Sequence, residues 1–351
     1  MIKKVPIRND QRRRLVPHSQ RSAAFGVIGN YTIALVFLWL IALTVLAASQ
    51  DSPQFTNIQR LTNREMVLKF SAPTGASYRI DASTNLPVWN GWVTAQSAGI
   101  NSHTDSAAPY LMRRFYRAEQ LAEANAFTGD HLATTNGDIV FHPINHASFV
   151  MRWNDKMIYN DPVGGAALYA GLPRADLIVV SHSHSDHYDT NTLFAVRSAT
   201  GVIIVPQAVY NLSTFVPLRP YSIVLAYGAS TNVPGLDIHV QAIAGYNGNH
   251  PFGNNNCYVL TIGGRRIFTS GDTGDTPEIR ALTNIDVAFL CMNLPFTTNW
   301  IGATNMIRAM RPGVVYPYHY RDQGTTYTNP PLFKQFLGGD LGIEVRLRKW
   351  Y

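Results

Sequence analysis

The chain has 351 residues, 46% of them hydrophobic and 15% charged, with 16 Phe, 17 Tyr and 6 Trp. That apolar supply excludes disorder and suffices for two domains with cores of their own, while two cysteines, Cys257 and Cys291, exclude a disulfide scaffold or a zinc site of several thiolates. The net charge of +7 suggests a polyanionic partner, but seven basic residues against Asp10 within residues 1–24 carry six of those charges, so the body is nearly neutral and nucleic acid is not an expected partner.

In chain order, residues 1–24 form a basic tail. Ile33 to Ala48 is one long apolar run, and no charge lies between Arg21 and Asp51. With Phe25 to Thr32 in front, residues 25–50 are long enough to cross ~30 Å of hydrocarbon as a helix. The basic flank predicts a cytoplasmic tail, so everything after residue 50 is expected in the periplasm or at the cell exterior. Ala47-Ala48-Ser49 offers a small-residue cleavage site. The segment therefore reads as a membrane anchor or a signal, and the length of the run favours an uncleaved anchor; cleavage would make the protein secreted.

Residues 53–119 read as a small all-β sandwich module. Met66 to Phe70 and Ser77 to Asp81 are β-rich and bounded by Pro73-Thr-Gly75 and Asn85-Leu-Pro87, and Arg114 to Arg117 closes the block. Tyr78-Arg-Ile-Asp-Ala-Ser83, Trp89, Trp92 and Phe115-Tyr-Arg117 resemble the fibronectin-like modules of large secreted bacterial proteins. Trp89 and Trp92 are expected to be core or turn packing rather than a sugar platform. A polar linker covers residues 120–130. From residue 131 to 351, apolar strand-like runs alternate with helix-like segments, which predicts an α/β layered domain.

One heptapeptide dominates that domain: Ser181-His182-Ser183-His184-Ser185-Asp186-His187. The apolar run Leu177 to Val180 before it reads as a buried strand, and Asp189 to Ala199 after it as a helix. Three imidazoles and a carboxylate in a strand-to-helix loop fit no packing role, because clustering them is unfavourable unless a cation binds. Asp161, Asp272 and His319 each follow another β-rich apolar run, which gathers polar donors at strand ends on one edge of a layered fold. Gly263-Gly264 reads as a tight hairpin that delivers Asp272 on the next loop. Cys257 and Cys291 lie in apolar runs and are expected as buried free thiols.

The pattern His-x-His-x-Asp-His after an apolar strand resembles the metallo-β-lactamase fold superfamily over residues 130–351. Its other landmarks follow in order at Asp161, His250, Asp272 and His319. Asn145-His146-Ala-Ser-Phe-Val150, Asp161-Pro-Val163, Gly271-Asp-Thr-Gly274 and Tyr318-His319-Tyr320 are similar to the branch of ascorbate-phosphate lactonases and N-acyl-phosphatidylethanolamine phospholipases D. The resemblance implies an αββα sandwich. It also implies one metal on His182, His184 and His250, a second on Asp186, His187 and His319, Asp272 between them, and Asp161 holding the heptapeptide from behind. It implies one or two zinc ions, with manganese or iron as alternatives, and hydrolysis of an ester, lactone or phosphodiester in a small molecule or a lipid by metal-activated hydroxide. Asp186, Asp272, His146 and Asn293 are the candidate catalytic side chains, and Tyr320 and Arg321 are candidates for an anionic substrate group. Residues 207–235 and 294–302, with Tyr210, Phe215, Tyr221, Phe296 and Trp300, are expected at the rim. His18, His103, His131, His142 and His239 show no partner pattern.

Two rivals stay open on the sequence. One is an iron-dependent oxidoreductase of the persulfide dioxygenase kind on the same fold; its iron–oxygen relatives place Glu where His184 stands. The other is a non-catalytic extracellular binding protein whose metal only braces the fold. Nothing in the residues speaks to oligomeric state.

Overall fold

The structure is a computed structural model that describes residues 3–6, 52–123, 126–321, 328–338 and 341–350. Residues 53–119 form the expected sandwich. One face is a three-stranded sheet of Gln54–Arg60, Met66–Ser71 and Ile100–Asp105; the other holds Ser77–Ser83, Asn90–Gln96 and Arg113–Gln120. Alternation along Met66–Ser71 turns Met66, Leu68 and Phe70 inward, onto Tyr78, Ile80, Trp92 and Tyr116 of the facing sheet. Trp92 is buried in that core, and the Arg117 guanidinium lies 4.8 Å over the Trp89 ring, so both tryptophans serve packing.

Most of the tail and the whole segment 25–50 lie outside the described residues. Among the described residues no helix is long and apolar enough to cross a membrane. The backbone of Lys3–Pro6 pairs antiparallel with Arg113–Gln120 at the module's edge. That pairing puts the backbone of residues 3–6 beside the module.

The sheet does not stop at the module. Gly129–Ala133, which starts inside the predicted linker, pairs Asp130 with Val93 and Thr94 with Gly129. The order then runs through Asp138–Asn145, Ser148–Trp153, Lys156–Asn160, Ala175–Val179, Arg197–Val205 and Ser222–Val224. A second sheet of seven strands runs from Ser230–Asn232 through Ile238–Gly245, Asn255–Ile262, Arg265–Thr269, Val287–Cys291 and Val314–Tyr318 to Glu344–Val345. Gly263 and Gly264, both at positive φ, turn the hairpin between Asn255–Ile262 and Arg265–Thr269.

The two sheets bury Phe141, Phe149, Met151, Leu177, Val240, Leu260, Phe289 and Tyr316 between them. Helix Thr190–Val196 and the 3-10 segment Ser213–Tyr221 cover the first sheet; Trp300–Met310 and Pro330–Leu337 cover the second. This is the αββα layering that the family resemblance implies, fused to the module through a shared sheet. The helix expected over residues 189–199 ends at Val196, and Arg197 to Ala199 already belong to the next strand. Asp189 caps its start by accepting from the Asn191 amide. Cys257 and Cys291 are buried and free.

Three of the five histidines without a sequence pattern stand at or near the junction of module and α/β domain. His103 Nε2 lies 2.7 Å from the Tyr78 hydroxyl inside the module, and burial pushes its pKa down to about 4. His131 bridges the Thr94 hydroxyl and the Asp138 carboxylate at 2.8 and 3.0 Å, and His142 binds Thr128. Beside them Asp130 accepts from Tyr316 and from two nitrogens of Arg348, while Arg346 spans Tyr316 and Glu344, and Ser106 of the module donates to Glu344.

Candidate metal centre

At the end of the sheets where Val179, Thr269 and Tyr318 stop, the predicted donors meet around one point. The Asp272 carboxylate is central: its Oδ1 lies 3.1 Å from Nε2 of both His187 and His319, and its Oδ2 lies 3.4 Å from His250 Nε2 and 3.9 Å from His182 Nε2. Two donor groups flank it. His182, His184 and His250 form one; Asp186, His187 and His319, together with His146, form the other.

Each donor is aimed by its surroundings. Asp161 accepts from the Ser181 amide and hydroxyl and from His187 Nδ1, at 2.7, 2.8 and 2.9 Å. That fixes the heptapeptide and leaves His187 Nε2 facing inward. The Ser181 hydroxyl lies 3.0 Å from His182 Nδ1, and Asn247 Oδ1 lies 3.1 Å from His250 Nδ1, with the same consequence for those rings. Asp272 rides on Gly271, whose φ is +50°. A Cβ there would sit 2.5 Å from Asn255 Oδ1 and 2.6 Å from Ser181 Cβ, so only glycine lets this loop lie so close to the heptapeptide. Asp161, His146 and His319 also hold positive φ, a conformation that non-glycine residues adopt at a cost and that gathers at functional sites.

The chemistry of the donor set fits divalent cations. His182, His187, His250, His319 and Asp272 are buried, yet His182 Nε2, His187 Nε2, His319 Nε2 and Asp272 Oδ1 make no well-aligned hydrogen bond, although Oδ1 stands in ion-pair range of His187 and His319 at 3.1 Å. Orphaned buried atoms of this kind are costly singly and, pooled around one point, are what an ion satisfies. Burial and the neighbouring His187 push His182 well below the ordinary imidazole range, so it is a neutral donor. Burial opposes charge on His187 too, but the Asp272 and Asp161 carboxylates outweigh it and raise that imidazole well above the usual value. His319 is raised in the same way, chiefly by Asp272 against burial, and Asp272 is held far below the carboxylate range by His187 and His319. Without a cation the cluster is thus a buried set of opposite charges that proton loss and metal uptake would replace.

The centre opens into a cavity of about 760 Å³, lined among others by Asn145, His146, Gly164, Asn249, Asn293, Phe296 and Arg321. His184 and Asp186 stand toward the mouth while the other donors form the floor. Asn293 is buried with Oδ1 unpartnered. Of the expected rim, Phe296 and Arg321 line the cavity. Trp300 does not; it packs edge-on against Phe336 of the helix Pro330–Leu337. Tyr210, Phe215 and Tyr221 stay away as well: Phe215 is buried under the first sheet, and the Tyr210 and Tyr221 rings lie against Arg219 and Arg197, at the back of the sheet where proline-rich 3-10 turns pack. Tyr227 of the same segment instead accepts from the Gly253 amide and packs on Phe252, in the loop after His250. Tyr320 donates to the Arg348 carbonyl instead of facing the cavity. Ser181 and Asn247, which aim the donor rings, escaped sequence reasoning; a hydroxyl or amide next to or three residues before a ligand histidine is the only trace they leave.

Fold and cluster together define a metallo-hydrolase of the αββα type. The β-lactamase superfamily domain family matches residues 141–319, and the chain belongs to that family. A metal-dependent hydrolase of Thermococcus kodakarensis is 29% identical over 215 residues, which are 58% of this chain and 93% of the relative. One from Pelotomaculum thermopropionicum is 28% identical over 218 residues, with 58% and 94% covered. A metal-dependent hydrolase from Parabacteroides distasonis has a solved structure that is 32% identical and aligns with a TM-score of 0.55, over 63% of this chain and 98% of that one. The metallo-hydrolase Igni18 of Ignicoccus hospitalis, 20% identical, shares the fold with a TM-score of 0.52 over 60% and 95%.

Proposed function

We propose that this metal-dependent hydrolase works with two divalent cations, zinc in the first place, on an ester, lactone or phosphodiester carried by a small molecule or a lipid. The observation that carries the reading is the pooling of two donor groups, one of three residues and one of four with His146, around one buried carboxylate, Asp272. His182, His184 and His250 would hold one cation and Asp186, His187 and His319 the other. Bound cations of this type supply Lewis acidity and bring the pKa of water down toward ~7. The chain's own residues do the rest. Asp272 stays ionised between the two groups. Asn293 lines the cavity, and its buried amide oxygen lacks a hydrogen-bond partner. Arg321 at the mouth offers positive charge to an anionic group, and Phe296 offers an apolar edge. We also propose, on the apolar run of residues 25–50, that the enzyme is held at a membrane with this cavity outside the cytoplasm.

The test is metal analysis alongside turnover on a phosphodiester, a lactone and an ester. Zinc-loaded protein should hydrolyse one of them, and His184→Ala should lose metal and turnover together. Full metal content with full activity in His184→Ala would overturn the reading. Iron as the native metal with oxygen consumption would favour the oxidoreductase, and metal binding without any turnover would favour a binding protein.

A further inference from the structure

The two donor groups are not equally braced. His182 and His250 are buried and pinned through their outer nitrogens. In the other group, Asp186 sits on the loop with 47% of its side chain exposed, and an exposed carboxylate is free to turn toward water. His319 and His187 lie 3.5 and 3.7 Å from its Oδ2, and the shortest contact that holds it is with His146. Its Nε2 lies 3.0 Å from Asp186 Oδ2 and donates to it. His146 is itself fixed on four sides. Its backbone stands at φ +55°, its N–H donates to the Trp350 carbonyl at 2.9 Å, its carbonyl accepts from the His319 amide at 3.2 Å, and its ring lies 3.8 Å from the His319 ring, centre to centre. The backbone of this residue thus ties the C-terminal segment to His319, and its imidazole, so anchored, reaches the exposed carboxylate and the His319 ring.

Resting on the two-cation reading above, we infer that His146 is a positioning residue for the second cation alone: it holds Asp186 in ligating pose and so sets the affinity of the Asp186/His187/His319 position, leaving the three-histidine position untouched. A hydrogen-bonding partner behind a metal ligand is worth about 10- to 100-fold in metal affinity.

The experiment is a zinc titration of chelator-stripped full-length protein by calorimetry, with cobalt(II) absorption as a second readout of each position. Wild-type protein should take two equivalents. His146→Ala should bind the first as wild type and the second about 10- to 100-fold more weakly. His146→Gln, whose amide nitrogen falls near Nε2, should recover most of the loss. In the Asp186→Asn background, adding His146→Ala should cost nothing further. An unchanged second equivalent in His146→Ala overturns the inference. So do equal losses at both positions, or a His146→Gln as weak as His146→Ala, since each makes the residue a general brace. Should His146→Ala fail to fold by circular dichroism, His146→Gln decides the matter in its place: a second equivalent near wild type in the Asp186 protein, and no effect of the same change in the Asp186→Asn background, support the inference, and any other pattern overturns it. A wild type that binds one equivalent defeats the two-cation reading itself, and is seen before any variant is made.

Discussion

Two buried polar clusters lie in this molecule, built from the same kinds of side chain. Around Asp130, where module meets α/β domain, the carboxylate takes both arms of Arg348 and the Tyr316 hydroxyl, and Arg346 takes Glu344 and Tyr316, so the charged groups are all satisfied by one another. Around Asp272, His182 Nε2, His187 Nε2, His319 Nε2 and the Asp272 Oδ1 atom crowd together without a well-aligned hydrogen bond among them. Burial and charge alone do not separate a joint from a reaction centre; unsatisfied donors pooled on one point do. The first cluster should be needed for stability, the second for metal.

Matched Asp→Asn substitutions break or keep that contrast. Asp272→Asn removes the shared carboxylate and should abolish binding of at least one ion. Turnover should fall by roughly a thousandfold or more, since metal-assisted stabilisation of the transition state amounts to several kcal/mol. The thermal midpoint of the metal-free protein should move less than in the matched variant. Asp130→Asn should do the reverse. Arg348 loses its partner, and breaking a buried pair costs about 3–5 kcal/mol; roughly 3 is expected here, because 28% of the Arg348 side chain reaches solvent. Metal content per folded molecule should stay at the wild-type value. Metal loss in Asp130→Asn at a temperature where it is fully folded would merge the two clusters into one functional unit.

Acid should separate them in a fixed order. Metal leaves as the donor imidazoles take up protons, around pH ~6 and below. Asp272 raises the proton affinity of His187 and His319 in the metal-free protein, so protons and zinc compete for these rings and metal affinity should rise with pH. Asp130 has the opposite sign. Burial disfavours its charge, but Arg348 and Arg346 outweigh this and hold its folded pKa below the unfolded value. The stability it contributes is therefore present above pH ~4 and lost only as pH falls through that depressed value. On acidification from neutral pH, followed by metal release and by circular dichroism, the ions should go first and the fold later. Coincident transitions would deny the distinction.

The uneven legibility of the chain follows from the same contrast. His182, His184, Asp186 and His187 stood out by their density and Asp161, Asp272 and His319 by their place after apolar runs, while His250 came from the family resemblance; the structure gathers all eight in one place. The sandwich and the two-layer core were readable from alternation and apolar runs. The joint was not. Asp130 finds Arg348 across 218 positions, and Ser106 finds Glu344 across 238, with no local pattern to announce either. His131 and His142 passed as background for the same reason. The aromatic segment 207–235 misled because Phe and Tyr look alike whether they line a cavity or lie on the back of a sheet.

The smallest expected effect concerns a second tie between module and α/β domain. Lys334 on the helix Pro330–Leu337 reaches Glu65 of the module at 2.5 Å, with 26% of the lysine side chain and 9% of the glutamate exposed. Its burial resembles that of the Asp130 pair, but Glu65 meets one lysine nitrogen where Asp130 takes two guanidinium nitrogens and a phenol, so the contribution should be smaller, about 1 kcal/mol. Lys334→Met keeps the stem and removes the charge. It should lower the melting midpoint by about 2–4 °C at most, and less at high salt. A drop as large as that of Asp130→Asn would show that the module is held by its rim as much as by its buried joint. No change in metal content or turnover is expected, since Lys334 takes no part in the cavity around Asp272.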